Sequence, residues 1–389
     1  MTAYNFDQVI DRRASDSIKW HTYPEDVLPL WVADMDFVSP QPVIDALRER
    51  VEHGVFGYAL APDEFRNIIC ERMQRLYNWT VQPQEIIFFP GIVPTLYVMG
   101  RVFAEPGANV LIQTPVYPPF LTAPDAYQLT ASPVPLVENR EGSRLHYTID
   151  FDAFEAAINP QTKIFMLCNP HNPIGRVFTR EELTRLAKIC AKHDILIASD
   201  EIHADLLLDG NRHTPIASLS PEISARTVTL MAPSKTFNIA GLGCSFAIVQ
   251  NEDLHKKLTA VTWGLLPFVN LLGLVAGAAA YRDGQEWLDQ LLVYLQANRD
   301  ALVDFVDQKL PGVAITCPEA TTLAWLDFRA LNLPDNDPFK FLLEKAKVGL
   351  TDGKPFGVEG TGFVRLNYGC PHSTMMTALE QIRAALATL

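Results

Sequence analysis

The sequence predicts an α/β protein whose large domain carries a mainly parallel sheet flanked by helices, with a smaller α+β domain beside it. Three observations predict it. The chain has 389 residues, 48% of them hydrophobic and 20% charged, enough to bury more than one core. Between about residues 85 and 250, short apolar runs alternate with amphipathic segments, the pattern of strands joined by crossover helices. Beyond that point long helical patterns mix with isolated apolar runs, which marks a second architecture.

In chain order, the apolar runs Ile86–Phe89, Val110–Gln113, Lys163–Leu167, Ile195–Ser199 and Val228–Met231 predict strands. A helix follows Thr179, an N-cap residue with Glu182 three positions on and Leu183, Leu186, Ala187 and Cys190 at helical spacing. Gly264–Tyr281 approaches the apolar length of a membrane span, but Pro267 and Asn270 interrupt it, so it reads as a buried core helix. Next come a helix over Trp287–Phe305, a strand over Thr322–Phe328, a helix over Pro338–Lys347, a strand over Phe363–Asn367 and a last helix after Pro371. Residues 1–50 are too short to bury a core of their own. The expected division is therefore 51–282 as the large domain and 1–50 with 283–389 as the small one.

The formal charge of −13 argues against nucleic-acid and anionic-membrane partners. Six scattered cysteines without paired spacing read as thiols in a reducing compartment, and the N-terminus lacks a signal-peptide pattern, so a cytoplasmic location is expected. No His and Cys spacing suggests a metal; His171 has no second ligand near it.

In parallel sheets ligands bind at the carboxyl ends of the strands, so the residues just after each run carry the chemistry. After Phe89, the turn Pro90-Gly91-Ile92-Val93-Pro94 starts a helix whose free N–H groups suit a phosphate; read alone, it is an ordinary strand-to-helix turn. After Leu167, Asn172 sits in a turn-rich run and could donate its amide to a phenolate oxygen. After Ser199 stands Asp200, a carboxylate that needs a cation if buried, with His203 three residues on. After Met231 come Ser234 and Lys235, the latter either a solvated charge or an amine able to form a Schiff base. Gly241 and Gly243 form a GxG, but Phe246 in the third place rules out a dinucleotide fingerprint.

In this order, with the aromatic loop around Tyr117 and with Arg365 in Phe363-Val364-Arg365-Leu366-Asn367, these features resemble the fold-type I pyridoxal 5′-phosphate enzymes of the aspartate aminotransferase superfamily. The segment Leu30-Trp31-Val32-Ala33-Asp34-Met35-Asp36-Phe37, the tetrad Asp200-Glu201-Ile202-His203 and Gly284–Asp289 with Asn298-Arg299 are similar to the MalY/PatB group of cystathionine β-lyases and related carbon–sulfur lyases. The resemblance implies a seven-stranded-type sheet, pyridoxal 5′-phosphate as cofactor and an amino acid as substrate. It implies that Lys235 holds the cofactor, Asp200 pairs with the ring nitrogen, Tyr117 stacks on the ring, and Asn172 and His203 address its 3′-oxygen. Gly91, Ile92, Val93 and Ser234 would hold the phosphate, and Arg365 the substrate carboxylate. Tyr58 is similar to a tyrosine that crosses a dimer interface to the partner's phosphate, which implies a homodimer. Ala232 and Gly243 stand where many aminotransferases place a serine and an arginine. The activity so implied is carbon–sulfur β-elimination; the alternatives are an aminotransferase and, of a different class, a cofactor-binding regulatory protein without turnover.

Overall fold

The computed structural model describes residues 4–262 and 264–389. Seven strands form the larger sheet, in the spatial order Ile86–Phe89, Ser245–Ile248, Thr227–Met231, Leu196–Asp200, Thr162–Cys168, Asn109–Thr114 and Thr130–Pro135. Ser245–Ile248 runs antiparallel to both its neighbours; the remaining pairs are parallel. The five strands expected from apolar runs lie within one residue of their expected bounds. They are legible because helices cover both faces, so successive side chains such as Ile164, Phe165, Met166 and Leu167 are all buried. Thr130–Pro135 was not expected; it tolerates Pro133 and Pro135 because it is the edge strand.

A second sheet of six strands has the order Thr351–Asp352, Phe363–Asn367, Leu323–Asp327, Ala314–Thr316, Arg144–Thr148 and Val137–Glu141. Its last two strands come from within residues 51–282, so the hairpin 137–148 leaves the span assigned to the large domain and completes the other sheet. Within the N-terminal segment, Leu28–Pro29 pairs in parallel with Val348–Gly349 of the C-terminal part. Farther on, the helix Gln41–Glu52 packs on Leu271–Asp283 of the large sheet's surroundings.

The stretch Gly264–Tyr281 is only in part the expected core helix. The helix begins at Leu271, where the Asn270 side chain accepts from Leu272 N at 2.8 Å. Before it, Gly264 has a φ of +93° and Leu265 and Phe268 are exposed, so this part is a surface segment. Among the described residues no helix is long and apolar enough to cross a membrane.

The helix Arg180–Lys192 starts with a reciprocal box: Thr179 Oγ1 accepts from Glu182 N at 3.1 Å and Glu182 Oε2 accepts from Thr179 N at 2.8 Å. Replacing Thr179 by alanine removes one of these bonds and should cost about 1 kcal/mol. Urea unfolding checks it: a lower midpoint at unchanged slope is expected, and an unmoved midpoint would show that the cap contributes nothing to global stability.

Candidate active site

The carboxyl ends of the parallel strands gather the residues singled out by sequence. Asp200 closes the strand Leu196–Asp200, and Asn172 lies in the loop after Thr162–Cys168, where its backbone C=O accepts from Tyr117 N at 3.1 Å. Lys235 stands in the short helix Pro233–Thr236 after Thr227–Met231. Arg365 arrives from the second sheet, in the middle of Phe363–Asn367 opposite Trp325 and Thr351. Both sheets therefore contribute residues to the site.

Arg365 is 4% exposed, and its hydrogen-bond acceptors are neutral. Its guanidinium donates to Asn172 Oδ1 at 3.0 Å, Trp31 O at 3.2 Å and Thr351 Oγ1 at 3.3 Å, lies 5.2 Å from the centre of the Phe356 ring, and leaves Nε buried without a partner. Burial pulls it down to about 10. Since arginine only donates, the Asn172 oxygen must face it, which leaves the Asn172 NH₂ to point elsewhere.

Asp200 is buried and, among the described residues, forms no ion pair; burial raises its carboxyl to about 7, against the help of the Ile202 N–H at 3.1 Å. Lys235 is partly buried, also without an ion pair, and donates to Ala33 O at 2.9 Å. Desolvation and then the Arg365 charge lower its amine to about 8, while Asp34 and Asp200 act the other way. His203 is buried, with Nδ1 unpartnered, and desolvation holds it neutral, down at about 3. Burial likewise raises the Tyr117 hydroxyl.

Gly91 is the N-cap of the helix Ile92–Phe103, which no side chain caps, so the N–H groups of Ile92 and Val93 are free donors. Among the described residues a Cβ at Gly91 would meet only Pro94 Cδ at 3.6 Å, so the chain leaves open space at this helix end, where an anion could approach the free N–H groups. Ser234 is buried in the neighbouring turn. Gly243 has a φ of +58° and its Cβ would meet Pro90 O at 3.1 Å, so the backbone against the glycine turn accounts for a residue without a side chain. Tyr58 lies apart from these residues, fully exposed, its ring edge-on to Phe268 at 6.5 Å.

Sequence reasoning missed the contribution of Trp31–Asp34 and of Thr351. Two backbone carbonyls of that segment hold Arg365 and Lys235, and two more, Val32 O and Asp34 O, accept from Asn367 Nδ2 at 2.7 Å each. The residues fit pyridoxal phosphate on their own chemistry: a buried anion without a cation, an amine of lowered basicity, an amide with free donors, a neutral imidazole nitrogen and an open helix end.

The family model for aminotransferase class I and II matches residues 25–382. Cystathionine beta-lyase PatB of Bacillus subtilis (strain 168) is 40% identical, covering 98% of this chain and all of that protein. Cystalysin of Treponema denticola, whose crystal structure contains pyridoxal 5′-phosphate, superposes with a TM-score of 0.95 at 33% identity over the whole of both chains. The PLP-bound C-S lyase of Staphylococcus hominis gives 0.92 at 34% identity, over 99% of this chain and 98% of that one.

The lowered amine sets a pH dependence. Between about 8 and the usual 10.5, the unfolded chain carries a proton on Lys235 that the folded chain lacks, so this group's contribution to stability rises with pH through that window. Competitive acetylation of the cofactor-free chain, read peptide by peptide, should place the Lys235 midpoint near 8; a midpoint at 10.5 would show a solvated lysine.

Proposed function

The chain belongs to the aminotransferase class I and II family, and on that premise we propose that it is a pyridoxal 5′-phosphate-dependent carbon–sulfur β-lyase. Its substrate is L-cystathionine or a related sulfur amino acid, and its products are a thiol, pyruvate and ammonia. The observation that carries the reaction type is the full-length similarity to PatB at 40% identity.

When bound, pyridoxal phosphate supplies a carbonyl carbon for amines and an electron sink for the bond broken at Cα. The chain's residues do the rest. Lys235 would hold the cofactor covalently, and its amine, lowered to about 8, is unprotonated more often near neutrality than an ordinary lysine's while still basic enough to take the Cα proton. Asp200, unpaired and buried, would hold the proton on the ring nitrogen, since a buried carboxylate is stabilised by a cation facing it. The Asn172 NH₂ and the unpartnered His203 Nδ1 would address the ring's 3′-oxygen, and Tyr117 would stack on the ring. Gly91, Ile92, Val93 and Ser234 receive the phosphate. Arg365 takes the substrate carboxylate, which gives the buried guanidinium the counter-ion it lacks. Because Arg365 also grips Asn172, seating the carboxylate bears directly on the ring-oxygen donor.

A second copy covers the apolar strip of Val55, Phe56, Tyr58, Leu60, Leu265 and Phe268, all exposed. A cavity of about 510 Å³ beside this strip has Phe89 and Pro90, the base of the glycine turn, in its wall. In such a pair, by the resemblance, Tyr58 of one protomer would reach the partner's phosphate site. Sedimentation velocity at micromolar concentration should give a dimer that Tyr58→Asp weakens; a monomer in the unmodified protein would overturn the pairing.

Elimination and amino-group transfer both begin with loss of the Cα proton. They part at whether the Cβ–S bond breaks before a proton returns, and about 1.4 kcal/mol between the two barriers is a tenfold change in products. The test supplies L-cystathionine in one reaction, and an amino acid without a β-leaving group plus a keto acid in another. Steady pyruvate and thiol release with little amino-group exchange is expected. Rapid exchange with negligible thiol would make the protein an aminotransferase instead.

A further inference from the structure

The segment around Trp31–Phe37 carries more charge than the roles above use. Asp34 Oδ2 pairs with Arg12 at 2.6 Å, and Arg12 turns its other terminal nitrogen to Asp36 Oδ1, also at 2.6 Å. The fully buried Lys19 holds Asp36 Oδ2 at 2.6 Å, and Trp20 Nε1 adds a donor to Oδ1 at 3.0 Å. Both oxygens of Asp36 are thus satisfied. Those of Asp34 are not: Oδ1 is shut off from water and has no hydrogen-bond partner. A carboxylate oxygen stripped of water without a donor is destabilising and calls for an explanation, one being a donor that arrives at some stage of function.

The donor at hand is Lys235. Its Nζ already bonds to Ala33 O, the carbonyl next to Asp34 in the chain, at 2.9 Å. The resting chain has no Asp34–Lys235 ion pair, but an ammonium on a flexible four-carbon stem needs more acceptors than one carbonyl. Arg12, gripping Oδ2, fixes the carboxylate with Oδ1 turned inward. Asn367 and Lys19, both bonded to Asp34 O, fix the backbone beneath it. The other charged groups acting on Lys235 are Arg365, which opposes its ammonium, and Asp200, which favours it; His203 faces it uncharged.

We propose that Asp34 is a positioning residue for Lys235, its unpartnered carboxylate oxygen holding the lysine's ammonium beside Ala33 O once the lysine has taken a proton. The proposal rests on the role given to Lys235 above. In the step concerned the C–H bond at Cα breaks, its electron pair stays with the substrate and its proton forms an N–H bond at Nζ. Asp34 takes no proton; it orients the one on Nζ.

The test uses the full-length protein. Borohydride fixation of the cofactor and peptide mapping first locate the labelled lysine in the wild type. Lys235 acetylation is then followed against pH in cofactor-free wild type, Asp34→Asn, Asp34→Glu and Arg12→Gln. Removing a unit charge several ångströms away should lower the Lys235 midpoint by about one pH unit in Asp34→Asn. Asp34→Glu should return it toward wild type. Arg12→Gln, which strips Asp34 of its counter-ion, should raise it; a purely structural role would move Asp34→Asn and Arg12→Gln the same way. In the loaded enzyme Asp34→Asn should lower kcat about tenfold with KM near wild type. A midpoint unmoved in Asp34→Asn, or shifts of one sign in both variants, overturns the proposal. If Asp34→Asn does not fold, Arg12→Gln decides: a raised midpoint supports the proposal and an unmoved one overturns it. Wild-type cofactor fixed on another lysine overturns the role of Lys235 and this inference with it; fixed on Lys235 with unmoved midpoints, it overturns this inference alone.

Discussion

A guanidinium taken out of water must find acceptors for its donors, and Arg365 finds three that carry no charge. A buried cation without a carboxylate is costly by several kcal/mol, so the surroundings that hold it have to be rigid. Those surroundings come from three distant parts of the chain: Trp31 near the N-terminus, Asn172 in the loop after a strand of the large sheet, and Thr351 in the small one. Seating one side chain therefore joins both sheets and the N-terminal segment. Burial does most to weaken the proton affinity of Lys235 and of His203, and the Arg365 charge adds to it at both.

Two asparagines do comparable work through neutral bonds. Asn367 Nδ2 ties Val32 O and Asp34 O, while Asn238 donates to Met35 O and Phe37 O at 2.9 and 2.8 Å and accepts from Met35 N at 2.9 Å. Asn238 adopts a φ of +56°, a conformation asparagine tolerates better than most residues, which aims its amide back at the segment. An otherwise irregular stretch of backbone, with carbonyls that must be satisfied, thus becomes a fixed wall beside Lys235.

What could be read from the sequence follows from how each residue announces itself. Strands covered on both faces leave unbroken apolar runs, and polar residues directly after such runs are conspicuous, which is why Asn172, Asp200 and Lys235 stood out. The hairpin 137–148 leaves no such mark: every residue of Val137–Glu141 is exposed and three of the five are charged, so it resembles a loop. Ala33 and Trp31 act through backbone oxygens, which no side-chain pattern reveals. Tyr58 was reached by resemblance alone, since a tyrosine in full contact with solvent offers no physical signal within one chain.

The hairpin has a bearing on how the molecule is made. During synthesis the strand Arg144–Thr148 leaves the ribosome long before Ala314–Thr316, the strand that pairs with its other edge. Through that interval its free edge is open to other chains, and the charged outer strand Val137–Glu141 blunts only one side. The strands of the larger sheet, by contrast, are all in hand once residue 248 has emerged. Asp200 and Lys235 can thus be assembled while Arg365 is still untranslated, and a nascent chain arrested before Phe363 would display the sheet's half of the site with nothing to close it.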